Sequence, residues 1–201
     1  MLKVGLTGSI GMGKSTIASM FTKLGIGVWS ADDAVHILYK KGGKANILIQ
    51  KEFGKIADEN GDIDRKKLSA IVIKDINALK KLENIVHPLV KQNREQFIET
   101  SMKNNAPYVI LDIPLLFETN SQNEFDKIIV VDCDFETQKQ RVLSRPNMNL
   151  EKFNAIIAKQ MPNAKKTDAA DFIIDTSQSL EKCRNRVIEI DIELKKLSKD
   201  A

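Results

Sequence analysis

The sequence predicts an α/β fold with a central parallel sheet, and three features of the chain support that prediction. A short apolar strand at residues 3–7 runs through the glycine-rich segment 8–13 into a helix at residues 14–24. Strand, loop and helix in this order are typical of parallel α/β sheets. The runs at residues 108–111 and 127–132 are almost wholly apolar, as central strands covered on both faces require.

The other elements follow along the chain. The first helix is expected to end at Gly25, and residues 26–29 predict a second strand. Residues 31–105 show no convincing strand and predict several helices, with breaks at Gly42–Gly43 and Asn60–Gly61 and a helix end at His87–Pro88. Beyond the strand at 108–111, which ends at Asp112, the predicted elements are the strand at 127–132, helices at 135–145 and 150–160 joined by a polar turn at 146–149, a strand at 172–174 and a closing amphipathic helix at 180–197.

Composition limits the class of protein. Hydrophobic residues make up 42% of the 201 residues and charged residues 29%, which is enough for a sizeable core. The net charge of +4, from 31 basic and 27 acidic side chains, is too mild to indicate nucleic acid but suits an anionic substrate. We expect one domain over residues 1–201, with no nucleic-acid partner, and the sequence does not indicate an oligomeric state.

Cysteine usage and hydropathy indicate the compartment. Cys133 and Cys183 have neither metal-ligand spacing nor the number needed for a secreted disulfide framework. The longest apolar stretch, residues 108–117, is too short to span a membrane and contains Asp112. The chain starts directly on a strand, which leaves no room for a signal peptide. These features predict a cytoplasmic protein with no membrane partner.

The segment from Gly8 to Ser15, GSIGMGKS, fits the phosphate-binding pattern G-x-x-x-x-G-K-S/T. Glycines let successive backbone N–H groups point inward at phosphate oxygens, and the following helix presents its positive end to the same anion. Lys14 can then reach the β- and γ-phosphates of ATP, and the Ser15 hydroxyl can ligate Mg²⁺. The alternative is a glycine-rich turn that only links strand to helix. The candidate nucleotide-binding residues are Gly8, Gly11, Met12, Gly13, Lys14, Ser15 and Thr16.

Three carboxylates follow predicted strands. Asp112 could hold Mg²⁺ beside Ser15, or be an ordinary aspartate at a strand end. Asp32 and Asp33 follow the second strand, where a carboxylate could take the proton of an attacking hydroxyl. Ser30 and Asp32 are equally suited to cap the next helix, so spacing alone leaves the role of Asp32 open.

Two arginines and one histidine are weaker candidates. Arg141 and Arg145 are four residues apart and share a helix face just before the turn at 146–149. They could clamp a transferring phosphate from a mobile lid, although a solvated basic face is the commoner fate of such a pair. His87 by itself predicts a satisfied histidine near the core.

Taken together, the segments of the chain resemble the dephospho-CoA kinase family over nearly its whole length. The P-loop is shared by many kinases, but the ordered set is specific, above all DIPLLFE after HPLV. The matching segments are residues 6–16 (LTGSIGMGKST), 24–32 (LGIGVWSAD), 60–68 (NGDIDRKKL), 87–90 (HPLV), 112–118 (DIPLLFE), 136–145, 160–162 and 170–175.

The resemblance implies a P-loop kinase fold: a three-layer sandwich around five parallel strands, with a helical acceptor-binding insert over roughly 35–105 and a lid near 140–160. It implies transfer of the ATP γ-phosphate, with Mg²⁺, to the 3′-hydroxyl of dephospho-CoA. Asp32 matches the family's base, while Arg141 and Arg145 match its lid arginines. The implied acceptor-binding residues are Thr7, Asp32, His87, Leu115 and Phe117. The chain departs from the family pattern at Ser30, His36, Ile156 and Thr176.

Two other functions compete with this prediction. Another small-molecule P-loop kinase, acting on a nucleoside monophosphate or a sugar acid, would share the loop but would not need HPLV or DIPLLFE. A nucleotide switch or assembly ATPase would need a guanine motif or a partner-supplied arginine, and an isolated chain of that class would not turn over ATP quickly with a small acceptor.

Overall fold

The computed structural model describes residues 1–200. The chain forms two compact units, which are described separately. The sheet unit comprises Met1–Trp29 and the chain from Ser101 onward, and the helical unit comprises Ser30–Thr100. The described helices are α1 (Lys14–Lys23), α2 (Ala31–Tyr39), α3 (Lys44–Phe53), α4 (Arg65–Val72), α5 (Ile76–Lys103), α6 (Phe135–Leu143), α7 (Leu150–Ile157), α8 (Asn163–Asp168) and α9 (Leu180–Leu197), with a 3₁₀ turn at Gln122–Glu124.

The sheet is five-stranded and parallel. Its strands lie in the order β2 (Val28–Ser30), β3 (Tyr108–Asp112), β1 (Leu2–Thr7), β4 (Lys127–Asp132) and β5 (Phe172–Asp175). Its central strand β1 pairs with β3 on one side and β4 on the other, and Leu6 lies opposite Asp112. The ends of β1 and β3 therefore meet at one edge of the sheet, where the loop after β1 begins.

Alternate residues of the strands pack into two different cores. Ile129 and Val131 of β4 join the larger core with α1 and α9, whereas Ile128 and Val130 join a smaller core with Leu116. Successive side chains of a strand point to opposite faces, and both faces of this sheet are covered by apolar layers. The sequences of the strands are therefore continuously apolar. Tyr108 adds a buried polar link, since its hydroxyl donates to Asp191 of α9 at 2.7 Å.

The helical unit has its own core. Buried side chains of α2, α3, α4 and α5 meet there, among them Leu38, Ile49, Leu68 and Val86. Asn46 is 3% exposed, and its amide donates to the carbonyls of Tyr39 and Gly61, both at 2.9 Å. One buried side chain therefore ties the end of α2 to the turn before α4.

The structure confirms the parallel sheet and the helical character of residues 31–105, apart from one isolated bridge between Ala57 and Ile63. The predicted helix end at His87–Pro88 is wrong, because α5 continues through Pro88 to Lys103. Proline removes one backbone hydrogen bond from a helix, and a 28-residue helix tolerates that loss. The second strand is displaced to Val28–Ser30, α6 and α7 end earlier than predicted, and α8 was not predicted. Among the described residues, no helix has the length and apolar character of a membrane span.

Candidate active site

The phosphate loop joins β1 to α1, and its backbone requires glycine. Gly11 and Gly13 have φ angles of 82° and 84°, in the left-handed region that side chains rarely adopt. A Cβ on Gly11 would also lie 2.6 Å from Cγ2 of Val142. Helix α1 then starts with no side-chain cap and no acidic residue in its first turn. Its positive end is therefore suited to receive an external anion.

Lys14 and Asp112 form an ion pair beside the loop. Both side chains are largely buried, with 15% and 10% of their surface exposed. The pairing follows from the sheet, because Asp112 ends the strand next to β1 and Lys14 is the first residue of α1. In this arrangement each charge neutralises the other, and an incoming anion with a cation could offer each of them a new partner.

Thr176, just after β5, holds the inner side of the loop. Its hydroxyl donates to the carbonyl of Met12 at 2.8 Å and accepts from Nη1 of Arg141 at 2.8 Å. Nη2 of Arg141 also donates to the Thr176 carbonyl at 2.8 Å. Since Thr176 is only 7% exposed, this bridge is shielded from water. Position 176, one of the expected departures from the family pattern, thus directly supports the loop.

The two arginines of the predicted lid differ in their contacts. Arg141 is half-buried and bound to Thr176, so it is not part of a solvated basic face. Arg145 lies beyond the end of α6 and is exposed. Both line a cavity of about 300 Å³, whose other walls include Gly11, Gly13, Thr16 and Gln178. The phosphate-clamping role of the arginines stays a prediction.

The outer side of the loop is held by side chains of α6, of α8 and of the segment between α7 and α8. The N–H of Ile10 donates to the side chain of Gln160 at 3.1 Å, and its carbonyl accepts from the side chain of Gln138 at 2.8 Å. Ser9 donates to Asn163 at 2.6 Å. Sequence reasoning missed these supports, although Gln138 and Gln160 fall in segments that carry the family resemblance.

The predicted acceptor residues of the sheet unit differ in exposure. Leu115 is 45% exposed, whereas Phe117 is 3% exposed and packs in the smaller core with Leu116. Thr7 is fully buried, and its hydroxyl donates to the carbonyl of Pro114 at 3.2 Å. Of these three side chains, Leu115 alone is substantially accessible, and their acceptor-binding role stays a prediction.

The predicted acceptor residues of the helical unit lie on its surface. Asp32 is exposed in the first turn of α2, and the cap of that helix is Ser30, whose hydroxyl accepts from the Asp33 N–H at 3.2 Å. The capping alternative for Asp32 is therefore wrong. His87 is exposed on α5, so the expectation of a core histidine is also wrong.

The fold and the loop define a nucleotide-dependent phosphotransferase of the P-loop kinase type. The family model described as dephospho-CoA kinase matches residues 2–182, and the chain belongs to that family. It is accordingly a phosphotransferase that acts on an alcohol group, with ATP as co-substrate.

Individual relatives agree with this assignment. The chain is 49% identical over 195 residues to the dephospho-CoA kinase of Bradyrhizobium diazoefficiens, covering 96% of each chain. It is 47% identical over 190 residues to that of Brucella melitensis, covering 94% of each. Among solved structures, the Campylobacter jejuni dephospho-CoA kinase superposes with a TM-score of 0.68 at 27% identity, covering 96% of each chain. A Thermus thermophilus protein superposes with a TM-score of 0.76 at 28% identity, again covering 96% of each.

Proposed function

We propose that this chain transfers the γ-phosphate of ATP to the 3′-hydroxyl of dephospho-CoA, giving coenzyme A and ADP in the last step of coenzyme A biosynthesis. The observation that carries the proposal is the phosphate loop with its uncapped helix and its Lys14–Asp112 pair, in a chain of this family. Phosphoryl transfer asks little covalent chemistry of the protein, so positioning and charge stabilisation are the functions that the residues must supply.

Lys14 and the loop amides bind the ATP phosphates in this proposal. Lys14 exchanges its ion pair with Asp112 for contacts to the β- and γ-phosphates. The Ser15 hydroxyl and Asp112 would then hold Mg²⁺, since both offer the hard oxygen donors that this ion prefers. When bound, Mg²⁺ supplies positive charge against the phosphates. Residues 1–200 contain no cluster of three or more metal-binding side chains, which suits an ion held mainly by phosphates and water.

The cavity of about 300 Å³ beside the loop suits the adenosine part of ATP, because it adjoins Gly13 and Thr16 at the start of α1. We assign the clamp on the transferring phosphate to Arg145, which is exposed and takes no part in the hydrogen bonds between Arg141 and Thr176. Arg141 would have to give up two hydrogen bonds to act in the same way.

Asp32 accepts the proton of the acceptor hydroxyl in this proposal. Two facts support it: Asp32 lies two residues beyond Ser30, the last residue of β2, and Ser30 rather than Asp32 caps α2. His87 and Leu115, both exposed, are proposed to contact dephospho-CoA, with Thr7 and Phe117 supporting the segment that carries Leu115. A cytoplasmic location also stays a proposal.

A coupled ADP-release assay over a panel of acceptors tests the function. Under identical ATP–Mg²⁺ conditions, kcat/KM should be highest for dephospho-CoA, lower for adenosine, and lowest for AMP and gluconate. The pantetheine arm of dephospho-CoA is remote from the reacting hydroxyl and can hold the ribose in place for transfer. NMR should locate the new phosphate on the 3′-oxygen. A faster reaction with AMP or gluconate would contradict the acceptor, and no stimulation by any acceptor would contradict the kinase proposal itself.

A further inference from the structure

A fully buried lysine lies against the outer side of the phosphate loop. Lys166 of α8 has no exposed surface, unlike its exposed neighbour Lys165. Its ammonium lies 2.8 Å from Oε1 of Glu118 and donates to the hydroxyl of Ser9 at 3.1 Å. A buried ammonium is unfavourable unless it is paired and hydrogen-bonded, and here one of the two partners belongs to the loop.

Glu118 stays ionised beside this lysine. Burial alone would raise the pKa of Glu118, but the hydrogen bonds from Lys166 and from the Met161 N–H, the latter at 2.8 Å, together lower it. Glu118 thereby holds both Lys166 and the segment before α8 in place. This gives a contact for the last residue of DIPLLFE, to which the sequence assigned no role.

The segment around α8 reaches two successive residues of the loop. Ser9 accepts from Lys166 and donates to Asn163, so its hydroxyl is bound from both sides by this segment. Ile10 donates its N–H to Gln160 just before it. The carbonyl of Ser9 also accepts from the Met12 N–H at 3.2 Å, which forms the bend of the loop. A shift of Ser9 would therefore change the curvature on which phosphate binding depends.

We propose that Lys166 is a positioning residue for nucleotide binding, acting through Ser9 with Glu118 as its counter-ion. The proposal rests on the proposed function of the loop as the ATP-phosphate site. Lys166 does not touch the nucleotide in this proposal; it holds the outer side of the loop in the shape that receives the phosphates. A lysine that only stabilised the fold would not affect ATP affinity.

Three variants separate these two roles, each measured by calorimetric titration with ATP–Mg²⁺ and by thermal melting. Ser9→Ala keeps the Lys166–Glu118 ion pair but removes its link to the loop, together with the Ser9–Asn163 hydrogen bond, so the Kd for ATP should rise about 5- to 10-fold. Glu118→Gln/Lys166→Met removes both charges together and should raise Kd by a similar factor. Both changes break the same contact, the one between Lys166 and Ser9. The triple variant, which combines Ser9→Ala with the double variant, should therefore bind ATP no more weakly than Ser9→Ala does.

Lys127→Met is the matched control, since Lys127 also pairs with a carboxylate at 2.8 Å, that of Asp171, and lies on β4 rather than beside the loop. Its Kd for ATP should equal that of the wild type. Unchanged Kd in Ser9→Ala, or losses that multiply in the triple variant, would overturn the proposal. If the double variant does not fold, Ser9→Ala is compared with Asn163→Ala, which removes the other contact of the Ser9 hydroxyl but keeps Lys166, and equal Kd values in the two would overturn the proposal. Lys14→Ala measured alongside separates the two proposals: unchanged Kd there would contradict the loop as the phosphate site, whereas lost binding there with unaffected Ser9→Ala would contradict only the role of Lys166.

Discussion

The two units of the chain hold their candidate residues in different ways. In the sheet unit, Lys14 is paired with Asp112, and the loop before it is bound on both sides, by Thr176 and by Gln160. In the helical unit, Asp32 and His87 stand on exposed helix surfaces. The difference indicates that protein contacts already hold the candidate phosphate-binding residues in place, whereas Asp32 and His87 are exposed to solvent. We therefore expect substitution of Lys14 or Thr176 to lower stability as well as nucleotide binding or turnover, and substitution of Asp32 to lower turnover alone.

The largest effect is expected at Lys14. Lys14→Ala removes the cation from the phosphates and should lower turnover by about 10³- to 10⁵-fold, the range seen for cations that stabilise a transferring phosphate. The Tm should also fall, because the substitution removes a largely buried ion pair. Steady-state ADP release and thermal melting measure the two effects. Lys23→Ala, at the exposed end of the same helix, is the control, and near-normal turnover of Lys14→Ala would leave the loop a structural turn.

Asp32 should separate turnover from stability. Asp32→Asn is nearly isosteric but cannot take a proton, so kcat should fall by about 10²- to 10⁴-fold. The Kd for ATP and the Tm should not change, since Asp32 is exposed and does not cap α2. Stopped assays with dephospho-CoA, ATP titration and melting give the three quantities. Asp33→Asn is the neighbouring control, and an equal loss there would assign the base to Asp33 instead.

Thr176 tests the support of the loop from its inner side. Thr176→Val keeps the shape but removes the hydroxyl between Arg141 and Met12, leaving buried polar groups unpaired. The free energy of unfolding should fall by about 1–3 kcal/mol, and the KM for ATP should rise several-fold with a smaller change in kcat. Thr22→Val is the control, because the Thr22 hydroxyl donates to the Ala18 carbonyl on the exposed side of α1. A KM equal to that of wild type would show that the bridge only stabilises the fold.

The smallest effect expected is a change in the pH dependence of stability. It is tested at one helix-capping aspartate in each unit, Asp134 of α6 and Asp64 of α4. The Thr137 hydroxyl, followed by the Thr137 N–H, lowers the pKa of Asp134 to about 2. The pKa is depressed in the folded state, so this stabilisation is present above the unfolded value of about 3.9 and is lost as pH falls towards 2. Asp134→Asn should make Tm less dependent on pH between about 4 and 2.

The matching variant in the helical unit is Asp64→Asn. The backbone N–H of Lys67 is the largest factor that lowers the pKa of Asp64, the cap of α4. Both variants should retain most of their stability at neutral pH, since asparagine caps helices nearly as well as aspartate. If the two units unfold independently, calorimetry at acidic pH should show two unfolding transitions. Each variant should then change the midpoint temperature only of the unit that contains the substituted aspartate. An unchanged pH slope in Asp134→Asn would contradict the assigned cap.

Local patterns predicted much of the fold and of the loop. The strand Lys127–Asp132 and the helix Leu180–Leu197 were predicted to the residue, because each is an apolar pattern with clear polar boundaries. Helix α8 was missed because its six residues are mostly polar, and α5 continues through Pro88 because packing outweighs a local preference.

The contacts that support the loop could not be read from the sequence. Arg141 and Thr176 are 35 residues apart, and Ser9 and Lys166 are 157 apart. Lys165 and Lys166 are the same residue type side by side, yet one is exposed and the other is buried. Long-range pairings of this kind depend on how distant segments pack, which composition and periodicity do not specify.

The reactivity of the two buried cysteines can be used to measure transient local unfolding of the sheet unit. Cys133 and Cys183 are free and buried, burial raises the pKa of both thiols, and Sγ of Cys133 lies 3.3 Å from Sδ of Met12 in the loop. A thiol reagent should therefore modify the native chain only during transient openings, so the rate of modification reports how often the unit opens. ATP bound at the loop should slow the modification of Cys133, which makes nucleotide occupancy readable from the unaltered protein.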